Sequence, residues 1–121
     1  MEYHVIILIL CTKLDICCVS SNRKDYTMDI LVIDAQGGGI GRQVIAAVHK
    51  DFPDNTITAV GTNTAATTAM LKAGADYGAT GENAIIVGPR KADVIIGPIG
   101  IVIADSLLGE ITPAMAIAVG Q

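Results

Sequence analysis

Five consecutive residues have the clearest chemical potential: Gly37, Gly38, Gly39, Ile40 and Gly41, set between an apolar run and an amphipathic stretch. A strand that runs into a glycine-rich turn and then a helix brings unpaired backbone N–H groups and the positive helix end to one point. That arrangement stabilises an anion. Glycine suits the turn because a ligand must approach the backbone closely and because some positions need positive φ. The context, strand before and helix after, gives the motif weight, yet its spacing departs from the dinucleotide fingerprint. Gly37, Gly39 and Gly41 read G-x-G-x-G, whereas G-x-G-x-x-G needs glycine where Arg42 stands and the short-chain dehydrogenase pattern needs it at Ala35. Three consecutive glycines are entropically wasteful in a plain connection, which argues for a ligand over a purely structural turn.

A dinucleotide site also calls for an acidic residue at the end of the second strand, where it binds the ribose hydroxyls. Gly61, Thr62, Asn63 and Thr64 stand there instead. This counts against ordinary NAD binding and is compatible with a phosphate held by threonine hydroxyls and a helix N-terminus, although no Arg reinforces it. NADP and NAD are the dinucleotide candidates, and a P-loop is excluded by the missing Gly-Lys-Ser/Thr. Two more glycine-rich turns, Gly78 to Asn83 and Gly97-Pro98-Ile99-Gly100, fall at the carboxyl edge of a parallel sheet, where ligands bind. Gly97, Pro98 and Gly100 are therefore expected to close the site; the plainer reading of both segments is turn chemistry.

Catalytic groups are few. Asp34, Glu82, Asp105 and Glu110 are carboxylates beside glycine turns, each able to serve as a general base or magnesium ligand and each more simply explained as a cap or solvated charge. Asp34 and Glu82 are the best of the four. His4 and His49 are the only histidines, so no Ser-His-Asp or Cys-His set can be assembled, and no metal-ligand spacing appears.

The elements that position these residues follow from periodicity. Asp29 to Asp34 is a β-branched apolar run suited to a strand buried on both faces. Ile40, Val44, Ile45, Ala47, Val48 and Phe52 then share one helical arc, with Arg42, Gln43, His49 and Lys50 opposite. Pro53 ends that helix and Thr56 to Gly61 reads as the second strand. Asn63 or Thr64 caps a helix through Ala73, with Ala66, Ala69, Met70 and Ala73 facing inward and Gly74 as its stop. Ala75 to Gly81 reads as irregular, Glu82 to Val87 as a short helix and Asp93 to Gly97 as a buried strand. Ile101 to Leu108 and Pro113 to Val119 read as helices, the latter with Thr112 as N-cap. Strands alternating with helices argue a parallel α/β sheet, Rossmann-like, with flanking helices. Gln121 follows a helix with no returning strand, the pattern of a C-terminally truncated domain.

The chain has 121 residues, 51% hydrophobic, enough for one domain with a real core. Its net charge of -4, one Phe and no Trp offer neither a phosphate-backbone footprint nor stacking aromatics, so nucleic acid is not expected as a partner. Cys11, Cys17 and Cys18 all precede residue 19, which excludes a disulfide framework for the core and fits free thiols in a reducing cytoplasm. The apolar run Val5 to Cys11 is far shorter than a membrane span of about 20 residues, and Met1 to His4 has no basic n-region of a signal peptide. Residues 1–27 read as an N-terminal extension outside the core, with a short docked strand as the alternative, and residues 28–121 as the domain.

Val32 to Gly41, Gly61-Thr62-Asn63, Met70 to Ala75, Gly78 to Ala84 and Ile96 to Gly100 together resemble a bacterial family of small Rossmann-like proteins described only as a domain of unknown function. The resemblance covers almost all of residues 28–121. It implies the fold, and proteins that begin near Met28 and continue past Gln121 with another strand; it brings no activity and no catalytic residues. The expectation is a nucleotide- or dinucleotide-binding domain with Gly37 to Gly41 at the phosphates, Thr62 to Thr64 near the ribose and Gly97 to Gly100 closing the site. Two alternatives stand beside it. One is a non-catalytic sensor or partner module for a small anionic metabolite, relying on a homo-oligomeric interface; the other is a small enzyme acting on a phosphorylated metabolite through Asp34 or Glu82.

Overall fold

The computed structural model describes residues 7–11 and 28–120. Along the chain these form β1 (Ile7–Cys11), β2 (Asp29–Asp34), α1 (Gly39–Asp51), β3 (Thr56–Gly61), α2 (Thr64–Lys72), β4 (Tyr77–Thr80), α3 (Glu82–Val87), β5 (Val94–Pro98), a 3-10 turn (Ile99–Val102), the one-turn α4 (Ser106–Gly109) and α5 (Pro113–Gly120). They make one sheet in the order β1-β5-β2-β3-β4. The four strands from β5 to β4 are parallel, and β1 runs antiparallel along β5, with Ile9 opposite Ile96. The chain is thus an α/β protein with a Rossmann-like parallel sheet and flanking helices. The rest of the N-terminal stretch, including Cys17 and Cys18, lies outside the described residues.

β2 shows why its run is apolar throughout. Ile30 and Val32 enter one core with Ile45 of α1 and Ala66 and Met70 of α2, while Leu31 and Ile33 enter the other with Ile85 of α3 and Met115 and Val119 of α5. Alternating side chains point to opposite faces, so a central strand covered on both sides must be hydrophobic at every position. The helices α1 and α2 lie on one face as the chain steps from β2 outward to β4; the return to β5 passes along the other face. The direction of winding therefore reverses between β2 and β5, and their carboxyl ends flank the switch point at which open α/β sheets bind ligands.

The caps follow the sequence. Asn63 Oδ1 accepts the Ala66 N–H at 2.9 Å, and Thr112 Oγ1 accepts the Met115 N–H at 3.2 Å. Gly74, at φ 125, ends α2.

Three expectations are corrected. Within the segment read as irregular, Tyr77–Thr80 is a strand paired with Thr58–Gly61 of β3. All four of its residues are exposed, so no buried face marked it in the sequence. The helix expected over Ile101 to Leu108 is not continuous: after the 3-10 turn Ile103 is extended, Asp105 is left-handed at φ 63, and Leu107 and Leu108 take φ 54 and 59 inside α4. A run rich in β-branched residues resists the α conformation, and the buried Ile101 and Ile111 root both ends of this loop in the core. Finally, helical periodicity puts Ala47 and Phe52 on the apolar arc of α1, yet both are exposed, Phe52 because it lies just past the helix end. No helix among the described residues is long and apolar enough to cross a membrane.

Candidate functional site

The turn after β2 contains glycines of two kinds. Gly38 has φ 71, and a Cβ there would lie 2.8 Å from the Cα and carbonyl oxygen of Ala66. At Gly41 a Cβ would lie 2.5 Å from Met70 Sδ and 2.9 Å from Asp34 Cβ. These two are glycine because α1 packs directly against β2 and α2. Gly37 and Gly39 differ: a Cβ at either meets nothing within 4 Å, and neither has a left-handed backbone. Both are exposed. Among the described residues their N–H groups make no hydrogen bond, whereas the Gly38 N–H closes the turn onto Ala35 O at 3.1 Å.

Asp34, the last residue of β2, is 4% exposed. Its Oδ1 accepts the Ala35 N–H at 2.8 Å and its Oδ2 the Gly41 N–H at 2.6 Å. Burial pushes its carboxyl above the ordinary range, against the opposing pull of backbone N–H groups of Gly41, Ala35 and Ile40, and the negative charge of Glu110 adds to the rise. The start of α1 is therefore already matched by an internal carboxylate. The N–H groups left for an external anion are those of Gly37, in the turn, and Gly39, the first residue of the helix.

On the β3 side of the turn a second carboxylate enters. Glu110 Oε2 accepts the Gln36 N–H at 2.9 Å, the Thr62 hydroxyl in a short contact, and Asn63 Nδ2 at 3.3 Å. Asn63 Nδ2 also reaches Gln36 O at 2.9 Å. Although burial pushes the Glu110 carboxyl up, the donors at Gln36, Thr62 and Asn63 outweigh it and hold it below the ordinary range. Sequence reasoning placed Glu110 among ordinary caps or solvated charges. No spacing rule marks it, since its partners lie 47 to 74 residues away.

On the β5 side a cleft of about 860 Å³ opens along the turn, bounded by Gly37, Gly38, Gly39 and Ile40, by Val44 and Val48 of α1, and by Ile96, Pro98 and Leu107. The structure thus brings together the glycine turn and Pro98 on one side, and Thr62 and Asn63 on the other. Thr64 is exposed at the first turn of α2, on a separate shallow surface with Arg42 and Lys72. Gly97 and Gly100 have packing reasons of their own: a Cβ at Gly97 would lie 2.6 Å from Ile33 O, and one at Gly100 would lie 3.2 Å from Leu107 Cγ and Ser106 Oγ. Glu82, exposed in the first turn of α3, accepts the Thr112 hydroxyl at 2.8 Å. Among the described residues no group of three or more His, Cys, Asp or Glu gathers as a metal site.

No curated protein and no solved structure matches the chain. A family model does, over residues 29–121, a span that takes in every strand from β2 to β5, the glycine turn and the Glu110 loop. The chain belongs to the family described as a domain of unknown function (DUF3842).

Proposed function

We propose that this domain binds a nucleotide or dinucleotide through the turn between β2 and α1, with phosphate oxygens on the N–H groups of Gly37 and Gly39. One observation carries the reading. Those two positions are glycine where the fold does not demand it, and their backbone donors are exposed at the mouth of the cleft beside the switch point. A side chain there costs the protein nothing in packing, whereas a ligand lying on the backbone would be kept out by it. The cleft, walled by Val44, Val48, Ile96 and Pro98, supplies the apolar surface that a base or ring needs.

The reading is tested by thermal-shift titration against NAD, NADP, ATP, GTP, flavins and sugar phosphates. Saturation at about 100 times Kd stabilises by roughly 2.7 kcal/mol. A shift with a nucleotide that Gly39→Val abolishes is the expected result. The absence of any shift across the panel would return the turn to a structural connection. Since the space beside Gly39 is open, the variant is expected to fold.

A second reading, binding without turnover as in a metabolite sensor, is favoured by a separate observation. Of the two carboxylates best suited to act as a base, Asp34 is buried with both oxygens held by backbone N–H groups, and Glu82 is tied by one oxygen to Thr112. An enzyme acting on a phosphorylated metabolite would have to free Asp34 or work through the remaining oxygen of the exposed Glu82. Unchanged turnover in Asp34→Asn and Glu82→Gln would remove that reading, while retained binding with no turnover in the wild type supports the sensor.

A further inference from the structure

In a parallel α/β sheet the ribose of a bound dinucleotide lies between the glycine turn and the tip of the next strand, where a carboxylate accepts its hydroxyls. The tip of β3 carries Thr62 and Asn63 and no acid. The fold nevertheless puts one there. Glu110 arrives from the loop between β5 and α5, and its Oε2 spans the Gln36 N–H of the glycine turn and the Thr62 and Asn63 side chains.

We infer that Glu110 is the specificity-determining carboxylate of this site: it takes the place of the acid missing from β3 and selects a nucleotide whose ribose hydroxyls are free over one bearing a 2′-phosphate. The inference rests on the nucleotide reading above and narrows its ligand class.

Three features support it. First, the three donors all engage Oε2; Oε1 makes no hydrogen bond among the described residues, and the residue is half-exposed, which leaves an acceptor for a hydroxyl. Second, the carboxylate is held in place by its own loop. The buried Ile111 follows it directly, the Ile111 carbonyl accepts the Asp105 N–H at 2.7 Å, and the Glu110 N–H donates to Leu107 O at 3.2 Å. Third, the charge is of the wrong sign for a phosphate. A hydroxyl donates to a carboxylate, whereas a phosphate brings only acceptors and like charge to it, and the donors of Gln36, Thr62 and Asn63 that would otherwise bind phosphate are already taken.

Isothermal titration of the full chain with NAD and NADP, which differ only in the 2′-phosphate, tests this. The wild type is expected to bind NAD about tenfold tighter than NADP or better. In Glu110→Gln, which keeps the shape and removes the charge, the two affinities are expected to fall within about threefold of each other, chiefly through tighter NADP binding. If Glu110 is only a latch, Glu110→Gln lowers the melting temperature and leaves the NAD/NADP ratio where it was; that result, or equal affinities in the wild type, overturns the inference. In either case NAD binding that Gly39→Val abolishes still upholds the parent reading. Binding of neither dinucleotide by a folded wild type overturns this inference, and the nucleotide panel then decides whether the parent reading falls with it.

Discussion

Two glycine turns meet at the same edge of the sheet, and their glycines have different causes. Gly97 lies near the end of β5 and Gly100 just after it, and both are explained by what surrounds them, the Ile33 carbonyl oxygen at one and Leu107 with Ser106 at the other. In the turn after β2, Gly38 and Gly41 belong with them, held by Ala66, Met70 and Asp34. Gly37 and Gly39 do not: the space beside each is open. Residue type alone treats all six alike. Only the position of the missing Cβ separates glycine required by packing from glycine that leaves a backbone bare to something outside the chain.

The sharpest way to break this contrast is to fill both kinds of space. Gly97→Ala sets a methyl 2.6 Å from the Ile33 carbonyl oxygen, a backbone atom of the neighbouring strand. It cannot be relieved by a rotamer change, so the expected loss is about 3 kcal/mol, measured as a fall in the urea midpoint. A loss below about 1 kcal/mol would show that β5 shifts freely and that packing does not fix this turn.

A smaller effect is expected at Thr67, a buried polar residue of α2 that the helical pattern did not single out. Its Oγ1 accepts the Gly61 N–H at 3.2 Å, lies 2.7 Å from Thr80 Oγ1, and is within reach of the Asn63 and Ala79 carbonyl oxygens at 3.2 and 3.1 Å. One hydroxyl thereby ties the ends of β3 and β4 to α2. Thr67→Val keeps the volume and leaves these groups without their partner, at a cost of about 2 kcal/mol. Faster hydrogen exchange at the Gly61 amide checks it; an unchanged amide would place the restraint elsewhere. Smaller still, and opposite in sign, Gly39→Ala is expected to raise the stability of the unliganded protein by about 0.5 kcal/mol, because alanine restricts the unfolded chain and suits a first-turn helical position. A destabilisation comparable to that of Gly97→Ala would erase the distinction between the two classes.

The sequence made the central elements legible because their constraints are local. β2 is apolar at every position since both its faces are covered, and Asn63 and Thr112 cap their helices with their own side chains. β4 was not legible, because an exposed edge strand of Tyr77, Gly78, Ala79 and Thr80 has no buried face to impose alternation. The loop from Ile103 to Glu110 was hidden for a different reason. Its apolar residues mimic a helix, while the left-handed turns at Asp105, Leu107 and Leu108 depend on contacts with Gly100 and Ile111 that form only after folding. The site divides along the same line. Gly37 to Gly41 could be read from their neighbours in the chain, but Glu110 acts on residues 74 and 48 positions away, and no pattern within one segment records such a meeting.

The two carboxylates at the turn titrate with opposite sign, and that gives the finest test of their roles. Asp34 is pushed above the ordinary range, so the native state holds its proton more tightly than the unfolded chain. Its contribution falls as pH rises from the ordinary carboxylate value of about 4 through the raised one. Glu110 is held below that range, so its contribution is present above about 4.3 and is lost as pH falls through the depressed value. Because Glu110 is half-exposed, solvent screens its contribution to less than about 1 kcal/mol. In Glu110→Gln the acid-side loss is expected to vanish; burial, the main cause of the Asp34 rise, remains, and only the smaller Glu110 repulsion, which offsets part of the change, is removed. The stability gap between wild type and variant, followed by urea denaturation from pH 3 to pH 6, should therefore widen in favour of the wild type as pH rises. A gap that stays constant over that range would mean that the Gln36, Thr62 and Asn63 donors hold the Glu110 oxygen for its shape alone, and that its charge does nothing for the fold.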